Sequence, residues 1–421
     1  MKIIGMMCGT SYDAIDAGAV DLTLENNTLI MKPLGMISGS YSDELRDELH
    51  RQMPPAPSSF EEFAKLDTRI GQAFAEVAQK ANEELCDGKA DVVASHGQTI
   101  YHWFEQIGNK NVVHGTLQIG QPAWIAEETG CTVVSDFRTR DVAAGGQGAP
   151  LISAFDQMWL SSRAEEGHRS AALNLGGIAN ATVLLTNDDG KISSVAFDTG
   201  PANALLDVAI TAGTDGKQHY DPDGKIARSG AVNDALLQRF LAEPYYQLPA
   251  SKTTGKELFH SEYMHDALDK ENLVAHGIND DSTGETISLE DFLATLTELT
   301  AVTVADGLKP YNLTEVIVNG GGIQNKYLME RLQQLMGHDV TFSPAEDLGL
   351  ESQAKEAYCF AVLAFCTIHD LPATIPSCTG AKHASILGSI TPGKDGLHRL
   401  LEDAEPISTD EPLTMKIVKA G

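Results

Sequence analysis

The sequence predicts an α/β protein made of two duplicated α/β domains with an active-site cleft between the copies. Three observations lead there. Short apolar runs alternate with longer amphipathic segments along the chain. Each half opens with an apolar strand, a Gly-containing tight turn and a second apolar strand, the two turns lying roughly 170 residues apart. Each half also sets a small-polar-Gly turn after a later strand, Ser95-His96-Gly97 in the first and Asp198-Thr199-Gly200 in the second.

The elements follow in order. Met1 to Leu22 reads as two strands around a turn at Gly9-Thr10-Ser11, and Asp43 to Asn82 as largely helical. Asp91 to Ala94 is a short buried strand, Ala123 to Glu128 a helix and Thr132 to Ser135 a strand. Ala171 to Leu185 reads as strand, Gly176-Gly177 turn, strand. Val195 to Phe197 leads into Asp198-Thr199-Gly200-Pro201 and a helix from about Asn203 to Thr211. Ser288 to Asp306 is a long amphipathic helix, Glu315 to Val318 a strand before Gly320-Gly321-Gly322, and Lys355 to Thr367 another helix. From about Gly393 the chain turns polar and acid-rich, a surface extension or partly ordered arm.

Composition removes several function classes. The 421 residues suit two or three domains, and 42% hydrophobic residues suffice for packed cores. A formal net charge of −29 argues against nucleic acid and against an anionic membrane surface. No run of about 18 apolar residues predicts a transmembrane helix. The first residues lack a signal-peptide core, so a cytoplasmic location is expected. Six scattered cysteines with no CxxC pair read as free thiols in a reducing compartment.

Three glycine turns are candidates for holding a nucleotide. In Gly9-Thr10-Ser11-Tyr12-Asp13-Ala14-Ile15-Asp16, backbone N–H groups and hydroxyls suit phosphate oxygens, and Asp13 and Asp16 suit the waters of a Mg²⁺ ion. Asn174-Leu175-Gly176-Gly177-Ile178-Ala179-Asn180 sits between two apolar strands, and each of these two turns also fits an ordinary hairpin. Gly320, Gly321 and Gly322 let a base or ribose approach the backbone, or simply form a flexible loop. Together they fit a nucleotide clamped between two domains. GxxxxGK[ST] and GxGxxG loops are missing, as is the protein-kinase motif set.

Asp198 lies at an expected strand end, where the following Gly-Pro stops the strand and exposes the carboxylate as a general base; helix capping is the alternative. Glu356, near a helix start, suits either Mg²⁺ or the helix dipole. Arg138, in the polar and glycine-rich stretch Asp136 to Leu151, suits a substrate carboxylate or structural ion pairs. His96 fits a structural histidine better than a catalyst.

These same residues resemble a known family. Met7 to Asp16 is similar to the MSGTSLDGID opening of the anhydro-N-acetylmuramic acid kinases, and Ser95-His96-Gly97-Gln98-Thr99 to their SHGQT. Asp136 to Leu151 resembles DFRxxDVAAGGQGAPL, Asn174 to Asn180 NIGGIAN, Asp198 to Asn203 DTGPGN, and Asn319 to Gly322 CGGG. The resemblance runs from Met1 to about Gly393. It implies an actin-like (ribonuclease-H-like) fold in each domain, with residues 1–136 plus about 373–421 as domain I and 137–372 as domain II. It implies ATP and Mg²⁺ as cofactors, a cytoplasmic homodimer, and conversion of 1,6-anhydro-N-acetylmuramate to N-acetylmuramate 6-phosphate in cell-wall recycling. By the same resemblance Asp198 is the general base toward water, Glu356 and Asp198 serve the metal, Gln98, Thr99, Arg138 and Asp198 meet the sugar, and the three glycine turns meet ATP.

The sequence departs from the family pattern at Cys8, Tyr12, Ala14, Ala202 and Lys256. The Trp103–Thr116 segment and the tail are also longer, as in the related levoglucosan kinases, which makes levoglucosan the alternative substrate. An actin-like ATP-binding protein without sugar chemistry is the competing class.

Overall fold

The computed structural model describes residues 1–9, 12, 14–107, 110–186, 192–250, 252–255, 258–397 and 413–418. Thr10, Ser11, Asp13 and Lys256 lie outside the described residues, as does most of the acidic tail. The chain divides into two compact units, Met1–Ser162 with Leu348–Gly421, and Arg163–Asp347.

The first unit is built on β1 (Lys2–Cys8), β2 (Ile15–Glu25) and β3 (Thr28–Gly39), which form an antiparallel meander. β4 (Val92–Ile107) then pairs parallel with β1, and β6 (Thr132–Ser135) pairs parallel with β4. β5 (Lys110–Ile119) folds back on β4 as a hairpin. The strand expected over 91–94 is therefore much longer, because it runs on into the hairpin with β5. Within the tail, Thr414–Ile417 adds a parallel strand beside β3.

Both faces of this sheet are apolar and covered. The helix Phe60–Cys86 starts at a Ser59–Glu62 capping box and buries Leu66, Ile70, Phe74 and Ala78 against it. The helix Lys355–Ile368 is almost wholly buried, and it lies directly on β1. A Cβ built on Gly5 would stand 1.8 Å from the Ala357 carbonyl oxygen and 2.8 Å from the Ala361 nitrogen. Strand and helix backbones thus touch, which only glycine permits.

The second unit repeats the plan. β7 (Ser170–Leu175), β8 (Ile178–Thr186) and β9 (Ile192–Pro201) form an antiparallel meander. The strand Glu315–Asn319 pairs parallel with β7, and Thr341–Pro344 pairs parallel with Glu315–Asn319. In both units the third, second and first strands are followed outward by two parallel strands. That shared ribonuclease-H-like order is the duplication the two Gly hairpins predict.

The units divide after Ser162 and before Leu348, so 137–162 and 348–372 belong to the first rather than the second. The reason is packing: the helix Lys355–Ile368 finds its apolar partner in β1 and β2. All six cysteines are buried. Among the described residues no helix is long and apolar enough to cross a membrane.

Replacing Gly5 by alanine will force the helix Lys355–Ile368 away from β1. We expect a loss of about 3 kcal/mol or more in unfolding free energy, read by chemical denaturation. An unchanged midpoint in that variant would remove the close contact as a stabilising constraint.

Candidate active site

The second unit gathers a row of polar side chains by strand register. Asn319 pairs with Asn174, Asn174 with Asn180, and Asn180 with Asp198. Directly paired residues share a face of the sheet, so three asparagines and one aspartate line one side near the carboxyl ends of β7 and its parallel neighbour. Asn319 Nδ2 donates to Asn174 Oδ1 at 3.4 Å. The carboxamides of Asn174 and Asn180, expected from sequence as nucleotide contacts, are thus brought beside Asp198.

Asp198 does not end its strand as expected. β9 continues through Gly200 and Pro201, which pair with Ala179 and Ile178. The register instead shifts between Ala179 and Asn180, leaving Thr199 as the extra residue of a bulge. Gly200 accommodates the bulge at a φ of 151°. Nor does Asp198 cap the following helix, Asn203–Gly213, whose N-cap is Ala202 with no side-chain bond.

What holds Asp198 is the segment before Lys256, which reads in the sequence only as a departure from the family pattern and not as a partner of Asp198. Thr254 N–H donates to Asp198 Oδ2 at 2.8 Å, and Asp198 N–H donates to the Lys252 carbonyl at 2.9 Å. The Tyr245 hydroxyl donates to the Asp198 carbonyl at 2.8 Å. A carboxylate gripped at backbone and side chain has a fixed direction. The Thr253-Thr254-Gly255 run is the one sequence signal that points here, since small residues without bulk let a loop backbone approach.

The glycine turns divide by role. The carbonyls of Gly176 and Gly177 accept from the N–H groups of Ala202, Asn203 and Ala204 at 2.9–3.0 Å, which satisfies the free donors at that helix start. A Cβ on Gly320 would stand 2.6 Å from Asn174 Oδ1, and one on Gly322 2.7 Å from the Leu175 Cβ. Those two glycines are spent on packing against the β7–β8 hairpin. At Gly321 the nearest atom would be Asn203 Nδ2 at 4.0 Å, so this is the position with room for a ligand.

In the first unit, the Gly9 carbonyl accepts from Tyr12 N–H at 3.1 Å and from Gln98 Nε2 at 3.2 Å. Gln98 is fully buried, with its Oε1 taking the Tyr41 hydroxyl at 3.1 Å. Its expected contact with sugar gives way to bracing the Gly9 turn, because no surface is left for substrate. Thr99 is half-buried and accepts from Gln118 Nε2 at 3.3 Å. Tyr12 adopts a left-handed φ of 46° and bonds His50 Nδ1 at 2.7 Å, a tether that leucine in that place would lack. Ala14 and Ile15 follow, and Asp16 accepts from Ser38 at 2.5 Å.

Arg138 sits beside this turn's end of the sheet. Its Nε donates to His96 Nε2 at 2.8 Å and its Nη1 to the Gly148 carbonyl at 2.7 Å. His96 must therefore be neutral with its proton on Nδ1, which lies 2.9 Å from the Gly97 carbonyl. Burial and the Arg138 charge together push His96 down to about 3. The Asp136–Leu151 stretch is organised around Asp141, fully buried, whose carboxylate accepts Gly148 N–H and the Thr379 hydroxyl, each at 2.7 Å. A Cβ on Gly146 would strike that carboxylate at 2.3 Å, which explains the glycine. Arg138 thus has two of its nitrogens committed to structure.

Glu356 stands in the first turn of the helix Lys355–Ile368 and is exposed to solvent. Although the residue keeps exposed surface, the protein packed around its carboxyl desolvates it and raises it above the usual range, Arg138 and Lys355 oppose that rise, and Asp16 adds to it. Two mutually repelling carboxylates with access to water suit a hard cation that keeps most of its own waters, as Mg²⁺ does. Among the described residues no group of three or more His, Cys, Asp or Glu converges on a tighter site.

With this geometry in place, the comparisons with known proteins become informative. The family model described as anhydro-N-acetylmuramic acid kinase matches residues 1–393. The chain is 53% identical over 403 residues to the anhydro-N-acetylmuramic acid kinase of Rhodococcus erythropolis, covering 95% of this chain and 96% of that protein. It is 54% identical over 397 residues to the enzyme of that name from Streptomyces avermitilis, covering 94% and 96%. A more distant relative of the same name, from Picosynechococcus, is 38% identical over 395 residues, covering 93% and 99%.

The neutral His96 sets a pH dependence. Its folded value is depressed below the unfolded value near 6.5, so the unfolded chain binds the proton first. Its contribution to stability is complete above about pH 6.5 and is lost as pH falls toward about 3, with a slope of up to about 1.4 kcal/mol per pH unit. His96→Gln keeps an acceptor for Arg138 and a donor for Gly97 but cannot titrate. Urea midpoints measured between pH 7 and pH 4.5 should fall less steeply for that variant; equal slopes would mean His96 is not held neutral.

Proposed function

The chain belongs to the anhydro-N-acetylmuramic acid kinase family, and from that footing we propose that it opens the 1,6-anhydro bridge of 1,6-anhydro-N-acetylmuramic acid with water while the γ-phosphoryl group of ATP passes to O6. The product is N-acetylmuramic acid 6-phosphate. The observation that carries this reading is the gripped carboxylate of Asp198 at the end of the asparagine row. An anhydrosugar has no proton on O6, so a base serving this reaction acts on water.

Asp198 takes a proton from that water. The new C1–O bond forms as the C1–O6 bond breaks, and O6 takes the phosphoryl group as its bond to ADP breaks. The Thr254 N–H on one carboxylate oxygen keeps the base oriented. Among the glycines, the room at Gly321 suits the approach of the adenosine, with Asn174 and Asn180 nearby in the same sheet. In this reading the Gly9 turn, whose carbonyl Gln98 braces, would serve the phosphates. Arg138, steadied by His96, brings positive charge near Glu356. Asp16 and Glu356 would hold Mg²⁺, which when bound neutralises charge on the phosphates. The same reading gives a cytoplasmic homodimer working in the recycling of cell-wall sugars, with an anionic lactyl group on the substrate where levoglucosan has none.

ADP release coupled to a dye reaction should require 1,6-anhydro-N-acetylmuramic acid and proceed far more slowly with levoglucosan. The reverse preference would replace the substrate, and ATP turnover indifferent to both sugars would remove the kinase reading. Asp198→Asn should lower kcat by about 10³-fold while leaving ATP binding intact, the loss expected when a general base is removed. In ¹⁸O-water, reactions quenched before anomeric exchange should carry the label at C1 of the product. Unlabelled C1 would mean that water is not the nucleophile.

A further inference from the structure

Behind the strand that carries Asp198 lies a cavity of about 390 Å³, wholly within the second unit. Its walls include Phe197, Thr199, Tyr246, Lys252, Gly307 and Tyr311. Phe197 and Thr199 flank Asp198 in sequence but turn to the face covered by the helix Leu289–Leu308, since a Cβ on Gly307 would touch both at 3.1 Å. The cavity therefore sits on the opposite face of β9 from the asparagine row.

Its chemistry is uneven in an informative way. The rings of Phe197 and Tyr311 are stacked, with centroids 6.0 Å apart and planes 26° apart. Lys252 lines the same cavity. Lys252 Nζ donates to the carbonyls of Tyr245 and Tyr246, each at 3.2 Å, and lies 4.7 Å from the centroid of the Tyr245 ring. Among the described residues no carboxylate lies within ion-pair reach of it. The acid on the same cavity, Asp306, is engaged with Lys309 at 3.3 Å. Burial pulls the Lys252 ammonium below the usual lysine range. A partly buried ammonium with two neutral acceptors, and no ion-pair partner among the described residues, favours an incoming anion. The rings favour a flat apolar body, and the volume is of the size that takes a small ligand.

The cavity is also wired to the catalytic carboxylate. The carbonyl of Lys252 receives the Asp198 N–H, and Thr254, two residues on, donates to Asp198 Oδ2. A Cβ on Gly200, beside the bulge, would meet the Tyr246 ring at 2.9 Å, so this cavity wall packs directly against the bulge backbone. We propose that this cavity is an effector site for a small flat aromatic acid, held by Lys252 and the Phe197–Tyr311 rings, whose occupancy is felt at Asp198.

The test uses the whole enzyme, with 1-naphthoate as probe and 1-naphthamide as its uncharged isostere. Calorimetry should show the acid binding at least about tenfold more tightly than the amide. Lys252→Gln should equalise the two, and Tyr311→Leu should weaken both. A saturating non-hydrolysable ATP analogue should not displace the acid. Saturating naphthoate should change kcat at least twofold under full substrate. Equal affinity of acid and amide in the wild type, absence of binding, displacement by the ATP analogue, or binding without any change in kcat would each overturn the proposal. The binding measurements do not depend on the reaction proposed above, so failure of one reading leaves the other to be judged separately.

Discussion

The contact between β1 and the helix Lys355–Ile368 is the constraint on which the first unit's chemistry depends. Gly5 has no side chain, and the helix backbone descends into the space a methyl group would fill. A second glycine on the neighbouring strand, Gly18, leaves the same kind of room for Tyr358. The helix is thereby fixed in height over the sheet. Its first turn carries Glu356, so the electrostatic coupling of Glu356 with Asp16 and Arg138 is a result of glycine packing several residues away. Charge placement here follows from backbone proximity.

The second unit solves a comparable problem with register. Strand pairing alone would set alternate side chains on one face in a regular file. The bulge at Thr199 breaks the file next to Asp198, and three backbone or phenolic bonds then hold the residue that the bulge has turned. Irregular backbone is placed beside the carboxylate, and regular ladder surrounds it.

Much of this was legible in the sequence. The order of strands and helices and the duplicated hairpins come from local patterns of period and turn chemistry. The exceptions share a cause. That β9 runs on through Gly200 and Pro201 depends on which β8 residues it meets. That Gly320 and Gly322 serve packing while Gly321 does not depends on Leu175 and Asn174. Gln98 reads as a polar residue near a site, and only the Tyr41 and Gly9 partners show it to be a buried brace. The helix Lys355–Ile368 follows the second unit in sequence, and nothing local says that it returns to β1. Local chemistry writes the elements, whereas roles assigned by distant partners have no local trace.

The return of the helix Lys355–Ile368 has a bearing on how the chain is made. β1 is translated about 350 residues ahead of the helix that covers it. At ~5–20 residues per second, the apolar face of β1 waits on the order of half a minute for its cover. The second unit, continuous from Arg163 to Asp347, has all its strands in hand before then. The later-encoded unit is therefore positioned to finish folding first. The first stays open at one face until that helix has been made, and over that interval the nascent chain carries an uncovered apolar sheet surface.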